Sequence, residues 1–225
     1  MINLELIENK FTCNGGDCKD DKLFVDHNIP MVFYDGLSIQ QHHKIGEPFS
    51  KLIGAIKPTT VIEIGTAAGG LTLMLHYLLN EHGLNDTTLI TYDVIEPGGL
   101  INKVNSDGLK IDVRVEDIFD GDSLKDEEYI KNLIQSDGTT LVICDGGNKV
   151  KEFNILSNYL KKGDIIMAHD YSFDEEYYQK NIHNKIWYWN EIRNSDIEQS
   201  CEKNNLFDFM SEFFNKVVWC CKIKV

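Results

Sequence analysis

The sequence is short of basic residues: 22 Lys and Arg stand against 36 Asp and Glu, for a net charge of −14. A surface that grips nucleic acid or an anionic membrane needs clustered Lys and Arg, so neither is expected as a partner. No apolar run approaches the roughly 20 residues that span a bilayer. Its opening, MINLELIENK, has no basic stretch leading into an apolar core, so no signal peptide is read and a cytoplasmic chain with reduced thiols is expected. The six cysteines form no framework. Cys13 and Cys18 make a C-x4-C pair without a second pair, which reads as loop chemistry rather than zinc. Internal repeats and low-complexity tracts are absent.

Phosphate-binding signatures are missing in a telling way. There is no G-x-G-x-x-G and no glycine loop ending in G-K-[ST]. What stands instead is Thr60–Leu75, TVIEIGTAAGGLTLML. A β-branched run carrying Glu63 meets a turn of small residues, Gly65 to Gly70. Apolar residues then recur at helical spacing through Leu71, Met74, Leu75, Leu78 and Leu79. Strand, tight turn and helix N-terminus together make a cradle for a nucleotide-type ligand. Ala67 occupies the second glycine position, where a pyrophosphate must approach the backbone. That disfavours a dinucleotide, and with it an NAD-type oxidoreductase.

Further along, strands alternate with helices and each strand ends in a polar residue. TLITYDV ends at Asp93 and Val94, and KIDVRV is followed by Glu116, Asp117 and Ile118. TLVICDGG carries Asp145, and DIIMAHDY carries His169 and Asp170. Helices are expected at Glu47–Ile56, from the turn to near His82, at Leu100–Asn105, Asp122–Gln135, Lys149–Lys161 and Ser195–Lys203. Such alternation predicts an α/β fold: a doubly wound, mostly parallel sheet whose ligands sit at the carboxyl ends of the strands. Strands near Asn205–Phe209 and Val217–Val225 are expected to close it as a hairpin. Residues 1–45, with a short hairpin turning at Asp35 and Gly36, are expected to cap a site-bearing domain of residues 46–225. The aromatic stretch from Tyr171 to Trp189 reads as an irregular insertion over the site.

From Gly46 onward the chain resembles class I S-adenosylmethionine-dependent methyltransferases. The likeness rests on EIGTAAGG (Glu63 to Gly70), Asp93, Asp117, ICDGG with Asp145, GDIIMAHDY and the terminal hairpin. It implies a Rossmann-like sheet of seven strands. It also implies that Gly65, Thr66, Ala67 and Gly69, with Glu63 beneath them, wrap the methionine part of the cofactor. Asp93, with Val94 beside it, would hold the ribose; Asp117 and Ile118 would meet adenine, and Asp145 would border the site. A narrower likeness is to metal-dependent O-methyltransferases of the catechol and macrocin types and to the cephalosporin hydroxylase-like group. It is supported by GEPF (Gly46 to Phe49), a segment that lips the cofactor pocket there. In those enzymes residues at the positions of Asp145, His169 and Asp170 hold Mg²⁺. His169 stands where a carboxylate is usual, so either a softer ion such as Mn²⁺ is used or His169 is not a ligand.

The expected function is therefore methyl transfer from S-adenosylmethionine, by O-methylation of a small hydroxylated molecule such as a sugar or an aromatic diol. Mg²⁺ or Mn²⁺ would orient the hydroxyl. Without a metal, His169 is the natural base, with Asp170 to orient its ring. Lys149 lies near a lysine that catechol-type enzymes use as a base, one residue further from the acid, and reads rather as a solvated helix lysine. Asp145 has a second reading as a helix N-cap, and Glu63 as a buried acid bonded to turn amides. Trp187, Tyr188 and Trp189 either pack over a substrate or close the core, and His42 and His43 read as loop. Two other outcomes stay open: a cofactor-binding subunit without activity of its own, and a hydroxylase-like enzyme on the same fold. A homo-oligomer is compatible with all of these.

Overall fold

The computed structural model describes residues 4–13, 32–183 and 191–225. Seven strands build the main sheet: β1 (Thr60–Ile64), β2 (Thr88–Asp93), β3 (Asp112–Val115), β4 (Thr140–Cys144), β5 (Ile165–Ala168), β6 (Leu206–Asp208) and β7 (Cys220–Lys224). Their order is β6-β7-β5-β4-β1-β2-β3. The five strands from β3 to β5 run parallel, and β7 lies antiparallel to both β5 and β6. This is the Rossmann-like doubly wound sheet that the sequence predicts.

Period-2 alternation sorts the strand residues between two helical layers. Val61, Leu89, Leu141, Ile143, Ile165 and Met167 face a core shared with α1 (Gly46–Ile56) and α2 (Gly70–Glu81). Ile62, Ile64, Ile90, Val142, Cys144, Ile166 and Ala168 face the other core. That core is covered by α4 (Glu127–Ile134), α5 (Lys149–Leu156) and α6 (Asn194–Lys203). Helix α3 (Gly98–Asp107) connects β2 to β3 and buries Leu100. Strands β1 and β4 are buried on both faces, which is why they read as unbroken apolar runs.

Several boundaries differ from expectation. Residues Phe119–Asp120 and Ser123–Leu124 form a small hairpin about Gly121, whose φ is +58°. Helix α4 therefore starts only after Asp126, whose carboxylate caps it. Helix α5 tightens into a 3₁₀ turn at Ser157 instead of running to Lys161. β5 stops at Ala168, because Asp170 takes a left-handed φ of +56° and turns the chain. β6 and β7 pair as expected, but a short helix at Ser211–Phe214 and a 3₁₀ turn at Asn215–Val217 separate them.

The region before α1 is built into the molecule. Strands Phe11–Cys13, Val32–Tyr34 and Leu37–Ser38 form a small sheet with the expected turn at Asp35 and Gly36. Ile7, Val32, Tyr34, Ile39 and Ile45 share one core with Phe49 and Leu73. Against the expectation of reduced thiols throughout, Cys13 is disulfide-bonded, while Cys144, Cys201, Cys220 and Cys221 are free. Cys18 and the Trp187 to Trp189 run lie outside the described residues. Among the described residues no helix is long and apolar enough to cross a membrane.

Candidate active site

The strand order reverses between β1 and β4, the place where sheets of this kind take their ligands, outside the carboxyl ends. Gly65 follows β1 there with φ +98°. A Cβ there would lie 2.3 Å from the Asp145 carbonyl oxygen, so only glycine lets the two strand ends come together. The turn continues through Ala67, a non-glycine at φ +48°, to Gly69 at φ +88°. Asp93 explains how an alanine is kept in that conformation. Its Oδ2 accepts from the Ala67 N–H at 2.7 Å, while Oδ1 accepts from the Ile95 N–H at 2.9 Å. A carboxylate has lone pairs left over after two such bonds, so Asp93 can still receive a diol. Beside it Val94, Ile95 and Val115 are exposed apolar side chains. Asp117 is exposed and accepts from the Phe119 N–H, whereas Ile118 is buried in the core below.

Two residues expected to touch the cofactor lie beneath the turn instead. Thr66 points inward, its hydroxyl 2.6 Å from that of Thr91. Glu63 is fully buried and takes a 2.5 Å hydrogen bond from Thr72 on α2. It thus ties strand to helix through a hydroxyl, not through turn amides. Burial pushes its carboxyl up to about 7, against the lowering effect of Thr72 and Thr91.

The second half of the site hangs from β4, β5 and β7. Asp145 does not cap α5; Asn148 does, accepting from the Lys151 N–H. The Asp145 carboxylate is free to face His169, whose Nδ1 lies 3.0 Å from Oδ1. Asp170 Oδ1 is 3.5 Å from the same nitrogen. Among the described residues the His169 Nε2 makes no hydrogen bond. One step past the Ala168–Cys220 register pair, Trp219 stacks on the imidazole with centroids 4.7 Å apart.

Lys149 corrects two expectations. It is 3% exposed, not solvated. Its Nζ lies 3.2 Å from Asp170 Oδ2 and 3.7 Å from Asp145 Oδ1, and donates to the Gly146 carbonyl. Burial works to lower its pKa, but the carboxylates of Asp145 and Asp170 outweigh that and hold it above the ordinary lysine value. An ammonium so held is a poor base. Asp145, His169 and Asp170 do converge, yet among the described residues no trio of His, Cys, Asp or Glu has the geometry to hold a metal ion. The residues do not fit Mg²⁺ or Mn²⁺ while Lys149 supplies the positive charge between the two acids.

Two residues that brace this cluster left no mark in the sequence. Gln41, in the irregular stretch before α1, donates to Asp145. Glu152 accepts from the Gly146 and Asn148 N–H groups and pins the loop after β4. Burial pushes its carboxyl up to about 7, with those amides and Lys149 opposing. His42 caps the 3₁₀ turn His43–Ile45 and stacks on His43, as a loop role requires.

No protein-family model matches the chain, and no curated protein matches it. Solved structures do. CmcI-N160 in its apo form superposes with a TM-score of 0.57 at 15% identity, over 86% of this chain and 76% of that one. The same protein with SAH gives 0.56 at 15% identity, over 86% and 82%. A Staphylococcus aureus protein assigned as a caffeoyl-CoA O-methyltransferase gives 0.52 at 12% identity, over 80% and 83%. At these identities the likeness is one of fold.

Proposed function

We propose that this chain is an S-adenosylmethionine-dependent methyltransferase that methylates a hydroxyl of a small molecule, with His169 as the base. One observation carries the reading. On a sheet of the kind found in methyltransferase structures, an Asp-paired histidine follows one parallel strand and a small-residue turn latched to a strand-end acid follows another, both at the carboxyl ends of the sheet.

The residues fit the cofactor. Gly65, Ala67 and Gly69 offer backbone at close range, Asp93 offers acceptors for a ribose diol, and Val94, Ile95 and Val115 offer an apolar face for adenine. When bound, S-adenosylmethionine supplies an electrophilic methyl on a sulfonium. The chain's own work is to position the acceptor and to take its proton. With Nδ1–H donated to Asp145, the Nε2 lone pair accepts the hydroxyl proton, and Asp145 stabilises the imidazolium that results. Lys149 remains charged throughout and offsets Asp170, so the proton has one destination. Water is held back by Trp219, which covers one face of the ring.

Calorimetric titration with S-adenosylmethionine and with S-adenosylhomocysteine tests the reading. Saturable binding is expected; none at millimolar ligand would sink it. A panel of sugars and aromatic diols assayed for methyl transfer then separates an enzyme from a cofactor-binding subunit, which would bind and not turn over.

A further inference from the structure

Gln41 belongs to no strand or helix, yet it is buried and joined to both halves of the catalytic pair. Its orientation can be worked out. The Trp219 indole N–H can only donate, and it meets Gln41 Oε1 at 2.9 Å. That oxygen must therefore be the acceptor, which turns the amide NH₂ toward Asp145 Oδ2 at 2.7 Å. With Oδ2 so engaged, Asp145 presents Oδ1 to His169. The same amide nitrogen also lies 3.2 Å from His169 Nδ1, and a donor there would suit an unprotonated Nδ1. The two carboxylate oxygens at 3.0 and 3.5 Å demand the opposite. Two anions outweigh one neutral amide, so the proton is on Nδ1. The backbone that carries Gln41 is fixed too: Ser38 and Ile39 lie so close to Gly70 that a Cβ there would be 2.5 Å from the Ser38 carbonyl oxygen.

We propose that Gln41 is a positioning residue, which, anchored by the Trp219 indole N–H, locks Asp145 and thereby holds His169 as its Nδ1–H tautomer, leaving the lone pair on Nε2. The proposal rests on the reading of His169 as the base. It assigns to the segment before α1 a part in the chemistry, through a chain of three hydrogen bonds: Trp219 to Gln41, Gln41 to Asp145, and His169 to Asp145.

The test reads the tautomer directly, by long-range ¹H–¹⁵N correlation of the His169 ring in the full chain at a pH where the ring is neutral. Wild type should give the Nδ1–H pattern. Trp219→Phe keeps a ring over the imidazole and removes only the donor; Gln41→Ala removes the amide. In both, Asp145 loses the anchor that aims Oδ1 at His169 and can turn toward Lys149, 3.7 Å away, so the single Nδ1–H pattern should give way to a mixture containing Nε2–H despite the loss of the opposing amide. Should Gln41→Ala fail to fold, Trp219→Phe alone decides. An unchanged Nδ1–H pattern in the folded variants, or an Nε2–H pattern in wild type, overturns the proposal. S-adenosylhomocysteine affinity of wild type, measured alongside, separates the two claims: its absence would fail the methyltransferase reading, while the tautomer still decides on Gln41.

Discussion

A buried ammonium between two carboxylates is costly to lose. Lys149→Met leaves Asp145 and Asp170 facing each other without a cation, and breaking a buried pair in this way costs about 3–5 kcal/mol. For a chain of this size that is a fall in Tm of roughly 6–20 °C, readable by calorimetry. His169→Gln is a different kind of change. It keeps a polar side chain under Trp219 but has no basic nitrogen. Methyl transfer should fall by about 10²–10⁴-fold, the ordinary share of a general base. S-adenosylhomocysteine affinity should hold, because the turn and Asp93 are untouched. A matching loss of affinity would place His169 in binding instead.

Elements bring these residues together, and much of that was legible. The strand-end acids Asp93 and Asp145 could be read because a buried parallel strand is an apolar run that stops abruptly at its polar end. The glycine turn was legible because its period shifts from strand to helix within a few residues. Lys149 reads as solvated and is buried, because a lysine on a helix says nothing of what its neighbours after β4 and β5 present to it. Gln41 was invisible for a related reason: it lies in no periodic element, and its partners are far along the chain. The β1–β4 contact yields a prediction at this scale. Gly65→Ala meets backbone on both counts, a left-handed φ and a carbonyl oxygen at 2.3 Å. No rotamer relieves that, so the two strand ends must separate. A loss of about 2–5 kcal/mol is expected, with weakened cofactor binding by calorimetry.

At the scale of the whole molecule, two buried acids shape the response to pH. Glu63 and Glu152 titrate near 7 when folded, raised chiefly by burial, against 4.5 for an unburied glutamate. Between those values the folded chain holds more protons than the unfolded one. Stability should therefore fall as pH rises from about 4.5 to about 7, by roughly 3 kcal/mol for each group. Glu63→Gln should flatten that slope in urea midpoints measured across the range. The region before α1 gives a second prediction. Ile7, Val32, Tyr34 and Ile39 pack into the same core as Phe49 and Leu73. A chain begun at Gly46 would leave that core open, and it should bind a hydrophobic dye and lose its cooperative melt. A sharp melt in that shortened chain would show that residues 46–225 stand alone. The position of β7, slotted between β5 and β6, has a consequence in time. A ribosome delivers β1 to β5 first, and domains tend to form as their segments emerge. Yet Trp219, which anchors Gln41 across 178 positions of sequence, arrives with β7. The contacts that align His169 are therefore among the last that a nascent molecule can complete, long after the residues of the glycine turn have been made.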